Sequence, residues 1–173
     1  RVSFVRMLAT AAFSTLALVV LCRAALVAQS APIYKVDPAW PKVLPNNWII
    51  GAVGGLTVDK DDHIWVYHRP RTITVDEAGA AQKPPIARCC IPAPSVLEFD
   101  TEGNLLKSWG GPGYVPNWPA NEHGILVDKA GSVYLTGSGR PGGRGANPAP
   151  EDREVLKFTG DGKLILEIGH PAT

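Results

Sequence analysis

One stretch of the chain occurs twice, and that constrains the fold more than any other feature. Gly55-Leu56-Thr57-Val58-Asp59-Lys60-Asp61-Asp62-His63-Ile64-Trp65-Val66-Tyr67 returns 69 positions later as Gly124-Ile125-Leu126-Val127-Asp128-Lys129-Ala130-Gly131-Ser132-Val133-Tyr134-Leu135. Each copy reads as two short β-branched and aromatic strands joined by a polar turn. A second hairpin also repeats. Residues 95–100 and 104–110, joined by Thr101-Glu102-Gly103, return as 154–159 and 163–169, joined by Gly160-Asp161-Gly162. The offset there is 59, and the difference falls in the middle loop, 27 residues (68–94) in round one and 17 (137–153) in round two. Elements that keep register while loops vary are the mark of a structural repeat.

Each round therefore predicts four short strands in up-and-down order. No helical period occurs outside the first 30 residues. Four-stranded units repeating along a chain predict an all-β fold of propeller blades, 51–110 and 122–169. Propellers typically close with roughly four to eight blades, so the expectation is two blades of a longer propeller, with a third beginning after Thr173.

Arg1 and Arg6 precede an apolar run from Met7 to Leu21, and Ala28-Gln29-Ser30 follows. A basic start, an apolar core and an A-x-S site predict an N-terminal signal helix over 1–30, hence a secreted or periplasmic protein. A retained anchor is the alternative, and an uncleaved N-terminal segment is the only membrane contact expected. Leu21 before Cys22 is too large for a lipoprotein site. The segment carries three of the 17 basic residues and no acid, so 14 basic and 16 acidic residues remain beyond it, a formal charge of −2. That balance predicts no nucleic-acid partner.

Residues 31–50 form a Pro-rich leader with Pro32, Pro38, Pro41 and Pro45. One short strand is expected at 33–37, with Trp40 and Trp48 packing on the body. The exported part keeps two adjacent cysteines, Cys89 and Cys90. A vicinal disulfide is slightly favoured, with free thiols or bonds to other chains still open. Adjacent cysteines alone make a poor zinc site.

Several motifs are excluded on their context. Gly137-Ser138-Gly139-Arg140-Pro141-Gly142 matches G-x-G-x-x-G, but the prolines after it forbid the helix a dinucleotide needs. No P-loop, G-x-S-x-G or H-E-x-x-H occurs. Asp59-Lys60-Asp61-Asp62 lacks the Gly and distant Glu of a helix-loop-helix calcium site and reads as a solvated turn.

The repeat separates architecture from function. Gly55/Gly124, Val58/Val127, Asp59/Asp128, Leu97/Leu156, Phe99/Phe158 and Gly110/Gly169 are shared and belong to the blade. His123 stands where round one has Gly54, His68 where round two has Gly137, and Arg69 where it has Ser138. The first strand of a blade lines the central channel, which sets His123 at a channel mouth. An imidazole there can bind metal if other blades add ligands, and an Arg beside it can hold a carboxylate. A hydrogen-bonded structural His and a surface Arg are the alternative.

Gly-Leu-Thr-Val-Asp followed by Ile-Trp-Val, then Val-Leu-Glu-Phe-Asp-Thr-Glu-Gly-Asn-Leu-Leu, resembles the NHL-repeat propellers over 51–169. Within that group the chain is most similar to the peptidyl-α-hydroxyglycine α-amidating lyases. Their G-x-V-x-G-V-x-L-D strand leads to F-H-R; here Gly51-Ala52-Val53-Gly54-Gly55-Leu56-Thr57-Val58-Asp59 leads to Tyr67-His68-Arg69. Their P-H-G-L strand is Glu122-His123-Gly124-Ile125. The resemblance implies a zinc-ligand role for His123 and a catalytic or substrate-binding role for Arg69. It also implies a structural calcium facing the backbone carbonyls of Leu56 and Ile125. The family's Gly-Asp-His after the Arg is Pro70-Arg71-Thr72 here, and Glu122 replaces a Pro. The remaining zinc histidines, tyrosine base and calcium aspartate are expected beyond Thr173. Two functions follow as expectations. The first is an exported scaffold binding a protein or small molecule on the propeller face. The second is a zinc-dependent, amidating-lyase-like enzyme using the channel.

Overall fold

The computed structural model describes residues 32–139 and 154–169. The expected signal segment and most of the second middle loop, with part of its Gly-rich motif, lie outside the described residues. The chain divides into two compact units, Arg1–Asp37 and Pro38–Thr173. Of the first, residues 32–37 are described. No strand forms there: Ile33, Tyr34 and Val36 are exposed, and a lone extended segment has no ladder to join. Among the described residues no helix is long and apolar enough to cross a membrane.

The described residues of the second unit form ten strands. β1 (Trp48–Ile49) runs parallel to β4 (Ile91–Pro92). β2 (Ala52–Val58), β3 (Ile64–Arg69), β5 (Val96–Phe99) and β6 (Leu105–Trp109) form one antiparallel sheet in the order β2-β3-β5-β6. β7 (Glu122–Val127), β8 (Val133–Gly137), β9 (Val155–Phe158) and β10 (Leu164–Ile168) form another in the order β7-β8-β9-β10. The two rounds are thus two four-stranded meanders. Three single-turn 3₁₀ helices, Pro45–Asn47, Pro70–Thr72 and Gly79–Ala81, punctuate the loops.

The first tight turns of the two sheets share one design. Asp59 Oδ1 accepts the N–H groups of Asp61 and His63 at 2.9 and 3.0 Å, and Asp128 Oδ1 accepts those of Ala130 and Ser132 at 2.9 and 2.8 Å. A short carboxylate bridging its own turn replaces backbone bonds that the reversal would leave open. The last residue of each reversal needs a left-handed backbone. Gly131 supplies it in round two, and Asp62, with φ 61°, in round one.

Side-chain alternation gives the first sheet two apolar faces. Trp65, Tyr67, Val96 and Trp109 meet Val127, Val133, Leu135, Leu156 and Phe158 of the second sheet, with Trp118 between them. The opposite face, Val66, Leu97 and Phe99, is covered by Trp40, Leu44, Trp48 and Ile50. Trp40 packs on Phe99 with ring centroids 5.5 Å apart, as expected for the leader. Each aromatic or branched side chain fully buried this way contributes about 1.5–3 kcal/mol.

The sheets approach most closely along β2 and β7. A Cβ on Gly54 would lie 2.5 Å from the Glu122 carbonyl oxygen, and one on Gly55 2.6 Å from that of His123. Glycine is required here because another backbone occupies the side-chain volume.

Candidate functional site

The meander order sorts the connections. The four tight turns (59–63, 100–104, 128–132 and 159–163) lie at one end of the sheets, and the long loops lie at the other. Arg69, His68 and His123 all belong to the long-loop end.

His123 is exposed and occupies a β-bulge. Glu122 pairs with Gly137 and Gly124 with Thr136, leaving His123 as the extra residue. The same bulge occurs in round one, where Val53 pairs with His68 and Gly55 with Tyr67, leaving Gly54. A bulge re-aims one side chain while the strand stays in its sheet. In round one the neighbouring sheet fills that space and the residue is Gly; in round two the position carries an imidazole.

Arg69, at the end of β3, donates its Nε–H to the Glu122 carbonyl at 2.6 Å. The structure therefore brings Arg69 to the residue next to His123. Among the described residues its Nη groups make no further hydrogen bond. Leu56 and Ile125 occupy equivalent places on the neighbouring strands β2 and β7. The Leu56 side chain is exposed, and Ile125 borders the core between the sheets.

His68 is fully committed to structure. It is buried, its Nδ1 accepts the Gly51 N–H at 3.2 Å, and its Nε2 donates to the Pro94 carbonyl at 2.9 Å. Burial lowers its pKa, although contacts with the carbonyls of Pro94 and Ala93 pull the other way. Glu122, the departure from the family's Pro, is also a structural group. Its buried carboxylate accepts from Ser95 Oγ at 3.3 Å and Trp118 Nε1 at 3.1 Å, and Arg71 Nη1 lies 3.6 Å away. Arg71 also donates to the carbonyls of Pro119 and Ala120, tying the first long loop to the connector.

Beside this network lies a groove of about 500 Å³ lined by Trp48, Pro70, Pro92, Pro94, Pro112 and Tyr114. Its walls are aromatic and proline faces, with Pro70 directly following Arg69. The sequence did not isolate this groove, because its lining comes from four separate segments. Cys89 and Cys90 form a vicinal disulfide in the same loop, with Cys89 exposed.

The tight-turn end holds a cluster that the turn reading passed over. Asp59, His63 and Glu98 place one ligand atom each within 4.8 Å of one another. The Asp59 carboxyl lies below its ordinary range. Burial pushes it up, but hydrogen bonds from the Trp65 indole and the Asp61 and His63 amides outweigh burial, helped by the His63 charge. The signal was present in the repeat, since round two has Ser132 for His63 and Lys157 for Glu98.

Compared with protein-family models and with curated proteins, the chain matches none.

Proposed function

We propose that this chain is an exported NHL-type propeller segment whose long-loop end is a binding scaffold for a small or peptide-derived ligand bearing a carboxylate. The observation that carries this reading is the groove of Trp48, Pro70, Pro92, Pro94 and Tyr114 at the same long-loop end as Arg69, the residue preceding Pro70. Aromatic and proline faces take up a flat apolar group at little entropic cost. A guanidinium with uncommitted Nη groups matches a carboxylate in a bidentate pair. The propeller part of the reading is supported by the two stacked meanders and the glycine contact between β2 and β7. A third sheet would add to the free face of the second.

N-benzoylglycine carries both an aromatic acyl group and a carboxylate, and intrinsic tryptophan fluorescence, to which Trp48 in the groove wall contributes, reads its binding. The wild-type chain is expected to give a saturable change. Arg69→Ala should weaken binding by about tenfold, equivalent to roughly 1.4 kcal/mol. A wild type that gives no response, or an Arg69→Ala variant that binds equally well, overturns the scaffold reading.

One observation favours the second reading, an amidating-lyase-like enzyme. Arg69 is hydrogen-bonded to the carbonyl preceding His123, so the two residues that the resemblance singles out share one corner of the site. In that chemistry zinc would polarise the hydroxyl of an N-acyl-α-hydroxyglycine, and His123 would supply one of its ligands. Among the described residues His123 belongs to no cluster of three potential metal ligands, so the remaining ligands would come from further blades. Glyoxylate release from N-benzoyl-α-hydroxyglycine, abolished by His123→Ala, would place the enzyme reading ahead of the scaffold. In a chain whose further blades supply the remaining ligands, a channel-site zinc content unchanged by His123→Ala removes the ligand role.

A further inference from the structure

We propose that Asp59, His63 and Glu98 form a site for a zinc-class divalent cation at the tight-turn end of the first sheet, remote from the long-loop face. The site does not depend on the scaffold or enzyme reading.

Two side chains from one tight turn and one from a strand converge. Asp59 opens and His63 closes the turn between β2 and β3, and Glu98 lies on β5, which pairs with β3. His63 Nδ1 is 2.8 Å from Glu98 Oε1 and 3.8 Å from Asp59 Oδ2. In a tetrahedral zinc site with bonds of about 2.0–2.2 Å, neighbouring ligand atoms stand roughly 3.3–3.6 Å apart. The two His63 separations bracket that value, all three ligand atoms lie within 4.8 Å of one another, and modest rotations of His63 and Glu98 would close the set. Two carboxylates and one neutral imidazole supply the charge and the mixed N/O donors that zinc-class ions prefer over calcium. His63 is the most exposed of the three, at 31% of its side-chain area, and leaves the fourth position open to solvent.

Two further observations separate this site from an ordinary acidic turn. Glu98 is 4% exposed, and its Oε2 makes no hydrogen bond. The Lys107 ammonium lies 3.2 Å from that oxygen as an ion pair and also 3.5 Å from Asp161. Lys107 can therefore remain as an outer partner or move wholly to Asp161 when a cation takes Glu98. The other observation is that the repeat does without His63 and Glu98. The equivalent positions are Ser132 and Lys157, and the second sheet still forms the same hairpins. Meanwhile Asp59 is already oriented, with Oδ1 held by two backbone amides and Oδ2 by Trp65 Nε1 at 2.9 Å. Such outer contacts typically hold a metal's carboxylate in place.

The test is zinc titration of the full chain against a chromogenic chelator, comparing wild type, His63→Ser, Glu98→Gln and His123→Ala. His63→Ser installs the residue that the second round carries. Wild type and His123→Ala are expected to take up one zinc equivalent with the same affinity at this site. His63→Ser and Glu98→Gln should lose it by on the order of 100-fold or more, since even an outer partner is worth 10–100-fold. A wild-type measurement covers the case in which a variant fails to fold: one equivalent of zinc should shift the His63 ring resonances and leave those of His123 in place. Wild type without uptake, folded variants with unchanged affinity, or His63 resonances unmoved by zinc would each overturn the site.

Discussion

At the scale of single residues, His68 shows how a sequence signal can mislead while still being informative. Its absence from round two marked it as available for chemistry, yet both ring nitrogens are engaged by the backbone. The carbonyl of Pro94 requires a proton on Nε2, and the Gly51 N–H requires a lone pair on Nδ1. Only the neutral imidazole satisfies both. A second proton would set Nδ1–H against another donor, and burial also disfavours the charge, outweighing the opposing pull of the Pro94 and Ala93 carbonyls. The linkage has a definite sign. The unfolded imidazole titrates near 6.5, whereas the folded one resists protonation until lower pH. As pH falls through about 6.5 the unfolded state binds more protons, and stability is lost until the folded pKa is passed. Urea unfolding should therefore show lower stability at pH 5.5 than at 7.5, and His68→Gln should flatten the difference. An equal slope in the variant would assign the effect elsewhere. His123 presents the opposite case. The repeat could show that the blade does not need it, but not that it sits on a bulge. A one-residue register shift depends on pairing, which spacing alone does not reveal.

At the scale of elements, the eight strands of the two meanders and their tight turns were legible because the pattern appears twice. A β-branched run in one round could be chance; the same run in the same order with the same turn chemistry is a sheet. β1 and β4 were not legible. Each is two residues long, one preceding the first hairpin and one inside a Pro-rich loop, and their parallel pairing carries no local sign. The repeat also permits an internal comparison of energetics. Trp109 on β6 and Ile168 on β10 are equivalent positions, but Trp109 is 7% exposed and Ile168 51%. Trp109 packs on Phe158 at 5.0 Å and donates its indole N–H to the Gly160 carbonyl, both in the other sheet. Trp109→Ala should cost about 3–5 kcal/mol of unfolding free energy. Ile168→Ala should cost well under about 1 kcal/mol, as expected of a half-exposed side chain. Comparable losses in chemical denaturation would mean that something covers β10 in solution.

At the scale of the second unit, the stack has one covered end and one open end. The first sheet's outer face is sealed by Trp40, Leu44, Trp48 and Ile50, so the leader takes the part that a preceding sheet would play. The second sheet uses the equivalent face, Leu135, Leu156 and Phe158, to receive the first. Its other face bears Tyr134, Val155, Leu166 and Ile168, the counterparts of Trp65, Val96, Lys107 and Trp109, which in the first sheet lie against or beside its neighbour. Leu166 and Ile168 are each about half exposed, 49% and 51%. An apolar sheet face of this kind is satisfied by another sheet, either a further repeat or a second molecule. In the proposed propeller, the sealed first face would bear on ring closure, because a last blade would have to displace the leader or share that surface with it. Sedimentation velocity of the chain tests the open end. Association that grows with concentration is expected, and Leu166→Glu combined with Ile168→Glu should shift the population to monomer. Both positions lie far from the inter-sheet core, so the double variant should melt within about 0.5 kcal/mol of wild type. A wild type that stays monomeric at high concentration and binds no apolar dye would show that this face needs no partner, and the case for an added third sheet would fail with it.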